Sequence, residues 1–235
     1  MWITSTPERA LTPTAIALGN FDGVHRGHQN VIQPVLQQPI RSTVVTFHPH
    51  PREYFTGEPS LLLTPLEEKI SYLKALGTQQ LVLLPFNRDL ASLPAEGFVK
   101  EILIKQLQAQ YISVGENFCF GYQRQGNVDY LSAIASQFGI TVNIVTLETN
   151  QKRRISSSRI REALNQGNIE LANELLGRTY SLMGTVITGE QRGRTIGFPT
   201  AKHALPLNKL IPRYGVYAVT VTSSTRPILS PHPAV

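Results

Sequence analysis

Five short runs of apolar and β-branched residues recur along the first three-quarters of the chain: TAIALG, RSTVVTF, QQLVLLPF, AQYISVG and TVNIVTL. Between them lie stretches with the period of a helix. In TPLEEKISYLKALG the residues Leu66, Ile70, Leu73 and Leu76 fall three or four apart, and PAEGFVKEILIKQLQ and DYLSAIASQFG follow a similar pattern. Short buried strands alternating with helices predict a parallel sheet covered on both faces. Ligands of such sheets bind beyond the carboxyl ends of the strands. The segments that leave the strands are therefore where chemistry is expected.

The pattern changes after IELANELLGR, which has the period of a last helix. SLMGTVITGEQRGRTIGFPTA and YGVYAVTVTSS are punctuated by glycine, rich in β-branched residues and lack helical spacing, as in a small antiparallel β domain. The expected division is residues 1–178 and 179–235. With 41% apolar and 16% charged residues the chain has the balance of a globular protein. No apolar run approaches the roughly 18 residues of a membrane span, and the start, MWITSTPERALTP, is unlike a signal peptide. The single cysteine, Cys119, excludes a disulfide framework or a thiolate metal cluster, and a reducing cytoplasm is the expected location. The net charge of +6 lies entirely after Glu190, where six Lys and Arg occur without an acid.

The first strand leaves into GNFDGVHRGH, residues 19–28. Gly19 and Gly23 allow a sharp turn, and Gly27 lets a ligand approach the start of a helix closely. His25 and His28, three apart, share a helical face beside free backbone N–H groups, which suits phosphate oxygens. Two surface histidines, or a metal site with Asp22, are the alternatives, although no cysteine or third histidine lies nearby. In ISSSRIR, Ser156, Ser157 and Ser158 can cap a helix whose first turn carries Arg159 and Arg161. TFHPHP sets His48, Pro49 and His50 in a stiff extended loop. GENFCFGYQRQGN combines Asn117, Phe118 and Phe120, suited to a planar ligand or to the core. Pro34 predicts that the helix after His25 is kinked or short.

Taken in order, GNFDGVHRGH, TFHPHP, LTPLEEK, GENFCFGYQRQG, ISSSRIR, GTVITGEQRGRTIGFPTA and YGVY resemble the bacterial bifunctional riboflavin kinase/FMN adenylyltransferase (FAD synthetase) family. The resemblance implies a Rossmann-like α/β nucleotidyltransferase domain with a parallel sheet, followed by part of a small antiparallel β-barrel. It implies attack of the FMN phosphate on the α-phosphorus of ATP, with His25-Arg26-Gly27-His28 as the HxGH-type signature. His25, His28 and Arg161 would then act on the phosphates. Gly19, Phe21, Asp22, Gly23, Gly27, Ser157 and Ser158 would bind ATP with Mg²⁺. His48, Pro49, His50, Asn117 and Phe118 would border the flavin and nucleotide.

In the second domain the resemblance assigns Gly193, Arg194, Gly197, Phe198, Pro199 and Thr200 to a kinase nucleotide and metal segment, with Thr200 as the metal-side hydroxyl. Lys202 stands where the family usually has asparagine, and an ammonium cannot ligate Mg²⁺. The glutamate base that the resemblance implies has no counterpart after Glu190. The second domain is therefore expected to be a partial barrel without riboflavin kinase activity. ATP, FMN and riboflavin are the expected partners, with neither nucleic acid nor membrane. A nucleotidyltransferase for another phosphorylated substrate is the nearest rival. A basic nucleic-acid patch of Lys152, Arg153, Arg154, Arg159 and Arg161 is the remote one.

Overall fold

A computed structural model describes residues 1–151, 153–189, 197 and 200–223. Six strands form one parallel sheet: β1 (Trp2–Thr4), β2 (Thr14–Leu18), β3 (Arg41–His48), β4 (Gln80–Pro85), β5 (Ala109–Gly115) and β6 (Thr141–Val145). Their order is β1-β4-β3-β2-β5-β6. The five expected strands are present; β1 is an addition too short to show a period. All five residues of β2 are buried between β3 and β5, as expected of a central strand covered on both faces. Strand order reverses at β2, with β3 and β4 on one side and β5 and β6 on the other, so the crevice opens beyond its carboxyl end.

The helices build the two covering layers. On one face, α1 (Arg26–Leu36) buries Val31, Ile32 and Val35, while Leu73 is buried from the later helix Leu66–Ala75; these pack on Ala15, Ala17 and Val44. Three helices precede the next buried layer: α2 (Pro51–Thr56), α3 (Leu66–Ala75) and α4 (Arg88–Ser92). On the opposite face, α5 (Ala95–Gly97) runs directly into a π-type helix, Phe98–Gln106. Its residues Phe98, Val99 and Leu103 pack with Leu131 and Ile134 of α6 (Val128–Ser136) against Ile16, Leu18 and Ile112. Each such apolar side chain contributes roughly 1.5–3 kcal/mol on burial.

α1 runs through Pro34 and ends two residues later at Leu36, an 11-residue helix. The proline sits in its last turn, where only the bond to Asn30 O is forfeited. Beyond β6, two short antiparallel strands, β7 (Thr149–Asn150) and β8 (Arg153–Arg154), precede α7 (Ser157–Gln166) and α8 (Ile169–Leu176). These helices bury Ile160, Leu164, Leu175 and Leu176 in a third cluster, which also takes in Leu63 and Leu210. Gly167 and Gly177 end the two helices in the left-handed conformation.

Within residues 179–235, β9 (Thr185–Ile187) pairs antiparallel with β10 (Lys202–Ala204), consistent with part of a barrel. Residues 208–210 return to the segment between α2 and α3: Leu62 pairs with Lys209 as an isolated parallel bridge. Among the described residues no helix is long and apolar enough to cross a membrane.

Candidate active site

A cleft of about 760 Å³ opens at the carboxyl ends of β2, β3, β5 and β6. Two helix N-termini converge there. α1 begins at its N-cap His25, whose Nδ1 accepts the N–H of His28 at 3.2 Å. α7 begins at Ser156, whose hydroxyl accepts the N–H of Arg159 at 3.3 Å. His25, Gly27, His28, Ser156, Ser157 and Ser158 all line the cleft. The unpaired N–H groups and positive dipole ends of both helices thus border one cavity.

The two imidazoles stack, with centroids 3.5 Å apart and 17° between their planes. His25 is only 4% exposed. Burial brings its pKa down to about 4, opposed by the Asp22 charge and assisted by Arg154 and Arg178. Burial and the neighbouring His25 likewise hold His28 well below the usual histidine range. Both rings are therefore neutral at pH 7. Because Nδ1 of His25 accepts a hydrogen bond, its proton resides on Nε2, which leaves that N–H as the donor. Nδ1 of His28 is buried without a partner among the described residues.

Phe21 and Val24, both 1% exposed, take φ of 48° and 41° within the turn between β2 and α1. Such angles are costly for side chains of this kind, and the packing around them holds the turn in place. Asp22 is buried within it. Its carboxylate accepts the N–H groups of Leu63 at 3.2 Å and Thr64 at 3.1 Å, and pairs with Nη2 of Arg161. The hydroxyl of Ser157 donates to Asp22 O at 2.8 Å, tying α7 to the turn. Gly27 faces the His25 ring, with 3.4 Å separating an added Cβ from its nearest atoms.

The remaining wall is largely aromatic. Phe118 and Phe120 stack at 5.6 Å, and Phe47 and Phe86 meet edge to face at 5.6 Å. Phe55, 71% exposed, packs edge to face on Phe86. Phe120 belongs to the core and also borders the cleft. Asn117, Arg154 and Glu148 complete the rim.

Of the sequence-predicted site residues, the cleft gathers Gly19, Phe21, Asp22, His25, Gly27, His28, His50, Asn117, Phe118, Ser157, Ser158 and Arg161. Gly23 is turned to Leu63 and Leu176, and His48 and Pro49 do not line the cavity. TFHPHP is not one extended loop: His48 ends β3, and His50 caps α2 by accepting the N–H of Arg52 at 3.1 Å. Gly197 and Thr200 are exposed and do not line this cleft. Gly193, Arg194, Phe198 and Pro199 lie outside the described residues, as does Lys152.

The basic run is not one surface. The Arg159 guanidinium is buried and donates to Asn150 O and Arg153 O, both at 3.1 Å, whereas Arg161 is committed to Asp22. Among the described residues, no group of three His, Cys, Asp or Glu side chains is placed to hold a metal ion. Phe55 and Phe86 had no clear sequence signal, and LTPLEEK and TFHPHP, though quoted for the resemblance, gave no role to Lys69, to the strap at residues 60–64 or to Phe47. Lys69 is buried and donates to Asn20 O at 2.8 Å, and burial lowers its pKa to about 8.

A parallel α/β sheet with two helix N-termini and an HxGH turn at its carboxyl edge defines a nucleotidyltransferase-like protein. Residues 8–159 match the FAD synthetase family model, and residues 176–234 match that of riboflavin kinase. The chain belongs to the bifunctional riboflavin kinase/FMN adenylyltransferase family. It is 42% identical over 213 residues to the member from Bacillus subtilis, covering 88% of this chain and 66% of that one. The Haemophilus influenzae member is 40% identical over 219 residues, covering 91% and 70%. The chain thus spans about two thirds of the length of these relatives. A crystal structure titled as a macrolide-efflux protein from Streptococcus pneumoniae superposes with a TM-score of 0.79 at 32% identity, covering 92% of this chain and 72% of that one.

Proposed function

We propose that this chain transfers the adenylyl group of ATP to FMN, giving FAD and pyrophosphate. The observation that carries the reading is the convergence of two helix N-termini, a neutral stacked histidine pair and Arg161 on one aromatic-walled cleft. A phosphate oxygen of FMN attacks the α-phosphorus, the bond from that phosphorus to the bridging oxygen breaks, and pyrophosphate leaves with the electron pair. The reaction needs no side-chain nucleophile. Its demands are alignment of two anions that repel each other and donors for charge that grows on the leaving group.

Neutral imidazoles suit the task because they donate N–H groups and fit a buried site without a charge of their own. The Nε2–H of His25, with His28 beside it, faces the reacting phosphates in this reading. The N-terminus of α7, with Ser157, Ser158 and Arg161, takes the β- and γ-phosphates. Gly27 leaves room for the adenine, and the aromatic wall with Asn117 receives the flavin. The cleft carboxylates, Asp22 and Glu148, are already engaged, Glu148 by Arg26 at 2.7 Å. Mg²⁺ therefore enters as part of the nucleotide substrate, held chiefly by phosphates and water, and offsets their charge.

The test is incubation of the protein with FMN, ATP and Mg²⁺, followed by chromatographic separation of FMN from FAD. FAD formation is expected; a folded protein that binds ATP and forms none refutes the reading. With riboflavin in place of FMN, little or no FMN is expected, because Lys202 stands where the family usually has an asparagine and an ammonium cannot ligate Mg²⁺.

A further inference from the structure

The strap at residues 60–64, between α2 and α3, has two edges that face different parts of the chain. Three consecutive peptide groups each have one end in the cleft and the other on residues 208–210. The Leu61–Leu62 group accepts from Arg161 Nη2 at 3.3 Å and donates its N–H to Asn208 O at 2.7 Å. The Leu62–Leu63 group donates to Asp22 Oδ2 at 3.2 Å and accepts the N–H of Leu210 at 2.9 Å. The Leu63–Thr64 group donates to Asp22 Oδ1 at 3.1 Å and accepts from Lys209 Nζ at 2.7 Å. A peptide group is planar, so holding its carbonyl fixes the direction of its N–H. A donor on the carbonyl also strengthens the bond made by the N–H.

Lys209 is held firmly enough to serve in this way. Its side chain is 0% exposed and that of Glu68 2%, and Nζ meets Glu68 Oε2 at 2.6 Å. The same ammonium lies 4.4 Å from the centre of the Tyr180 ring. A buried ion pair of this kind is weak evidence for added stability, but it can select a single geometry. Residues 208–210 fall within the riboflavin kinase match, whereas Asp22 and the strap fall within the FAD synthetase match.

We propose that Lys209, from the kinase-matched segment, is a positioning residue for adenylyl transfer: through the strap's peptide planes it sets the Asp22 carboxylate, and through Asp22 the Arg161 guanidinium that meets the nucleotide. The inference rests on the reaction proposed above. It makes one module's backbone part of the other module's site.

Variants at Lys209, Glu68 and Arg161 and one measurement on the unaltered protein test it. Lys209→Met removes the donor but leaves Glu68 buried alone, so it can fail to fold. The pair Glu68→Leu/Lys209→Met removes both charges, a change that commonly leaves stability unaltered or raised. In the folded pair variant, kcat should fall roughly 10- to 100-fold, the loss expected when a phosphate-binding group is misplaced. KM for FMN should stay unchanged. Adding Arg161→Lys should cost less than in the wild-type background, because both changes act through one ion pair. A folded pair variant with wild-type kcat and KM overturns the proposal.

In the wild-type protein, ATP should slow hydrogen exchange of the Leu62 and Leu210 amides roughly 2- to 30-fold. Unchanged exchange with ATP bound also overturns the proposal. Absence of FAD from the wild-type protein counts instead against the proposed reaction.

Discussion

The neutral histidine pair makes stability depend on pH in a way that one substitution can isolate. His25 has a pKa of about 4 in the folded protein against its ordinary 6.5. Above 6.5 it is neutral whether folded or unfolded and contributes no pH dependence. As the pH falls below 6.5 the unfolded chain takes up a proton that the folded chain refuses, and stability is lost until the folded value is passed near 4. At 1.36 kcal/mol per pKa unit the full loss is about 3 kcal/mol. For a protein of this size that lowers Tm by about 7–14 °C. His25→Asn removes the titration and keeps a side-chain oxygen for the cap, since asparagine is among the favoured N-cap residues. Scanning calorimetry of both proteins from pH 7 to pH 4 should show the wild type losing that much more than the variant. Carboxylates elsewhere are present in both, so the difference belongs to His25 and to its effect on the stacked His28. Parallel curves would refute the buried, neutral assignment.

Asp22→Asn deprives Arg161 of its charge partner and sets an NH₂ against a backbone N–H. It should cost about 3 kcal/mol of stability and lower kcat for FAD formation, measured by denaturant unfolding and the chromatographic assay. Arg159→Met should separate stability from catalysis: its guanidinium serves backbone carbonyls, so Tm should drop while KM for ATP stays within twofold or so of wild type. Gly126→Ala places a Cβ 2.7 Å from the Phe120 ring and should cost about 1–3 kcal/mol. The displaced aromatic wall should also raise KM for FMN, and an unchanged Tm would show that the ring can yield.

The middle of the sheet could be read from the sequence because β2, β3 and β4 are largely buried on both faces and carry apolar, β-branched runs, whereas the edge strand β6 has no buried residue and shows itself only by its β-branched residues. GNFDGVHRGH and ISSSRIR could be read because cap residues, glycines and cations act within a few positions of one another. Long-range contacts left no such mark. Arg159 and Arg161 are two residues apart, and nothing in their spacing says that one serves the core while the other faces the cleft. Phe55 and Phe86 meet across 31 residues. Lys209 meets Glu68 across 141, in a segment whose pattern indicated only a separate β domain. β1 was missed for another reason: three residues beside β4 are held by ladder hydrogen bonds and need no apolar period of their own.

The left-handed backbone at Phe21 and Val24 bears on the thermodynamics of association. The core holds Gly19–Val24 in one shape, with Phe21 and Val24 buried, so in the proposed reaction binding does not have to order those six residues. At about 1–2 kcal/mol per residue, ordering them would have weakened affinity by roughly 6–12 kcal/mol. Titration calorimetry should accordingly give a heat-capacity change that matches the apolar area of flavin and adenine covered, with no added contribution from a loop that folds.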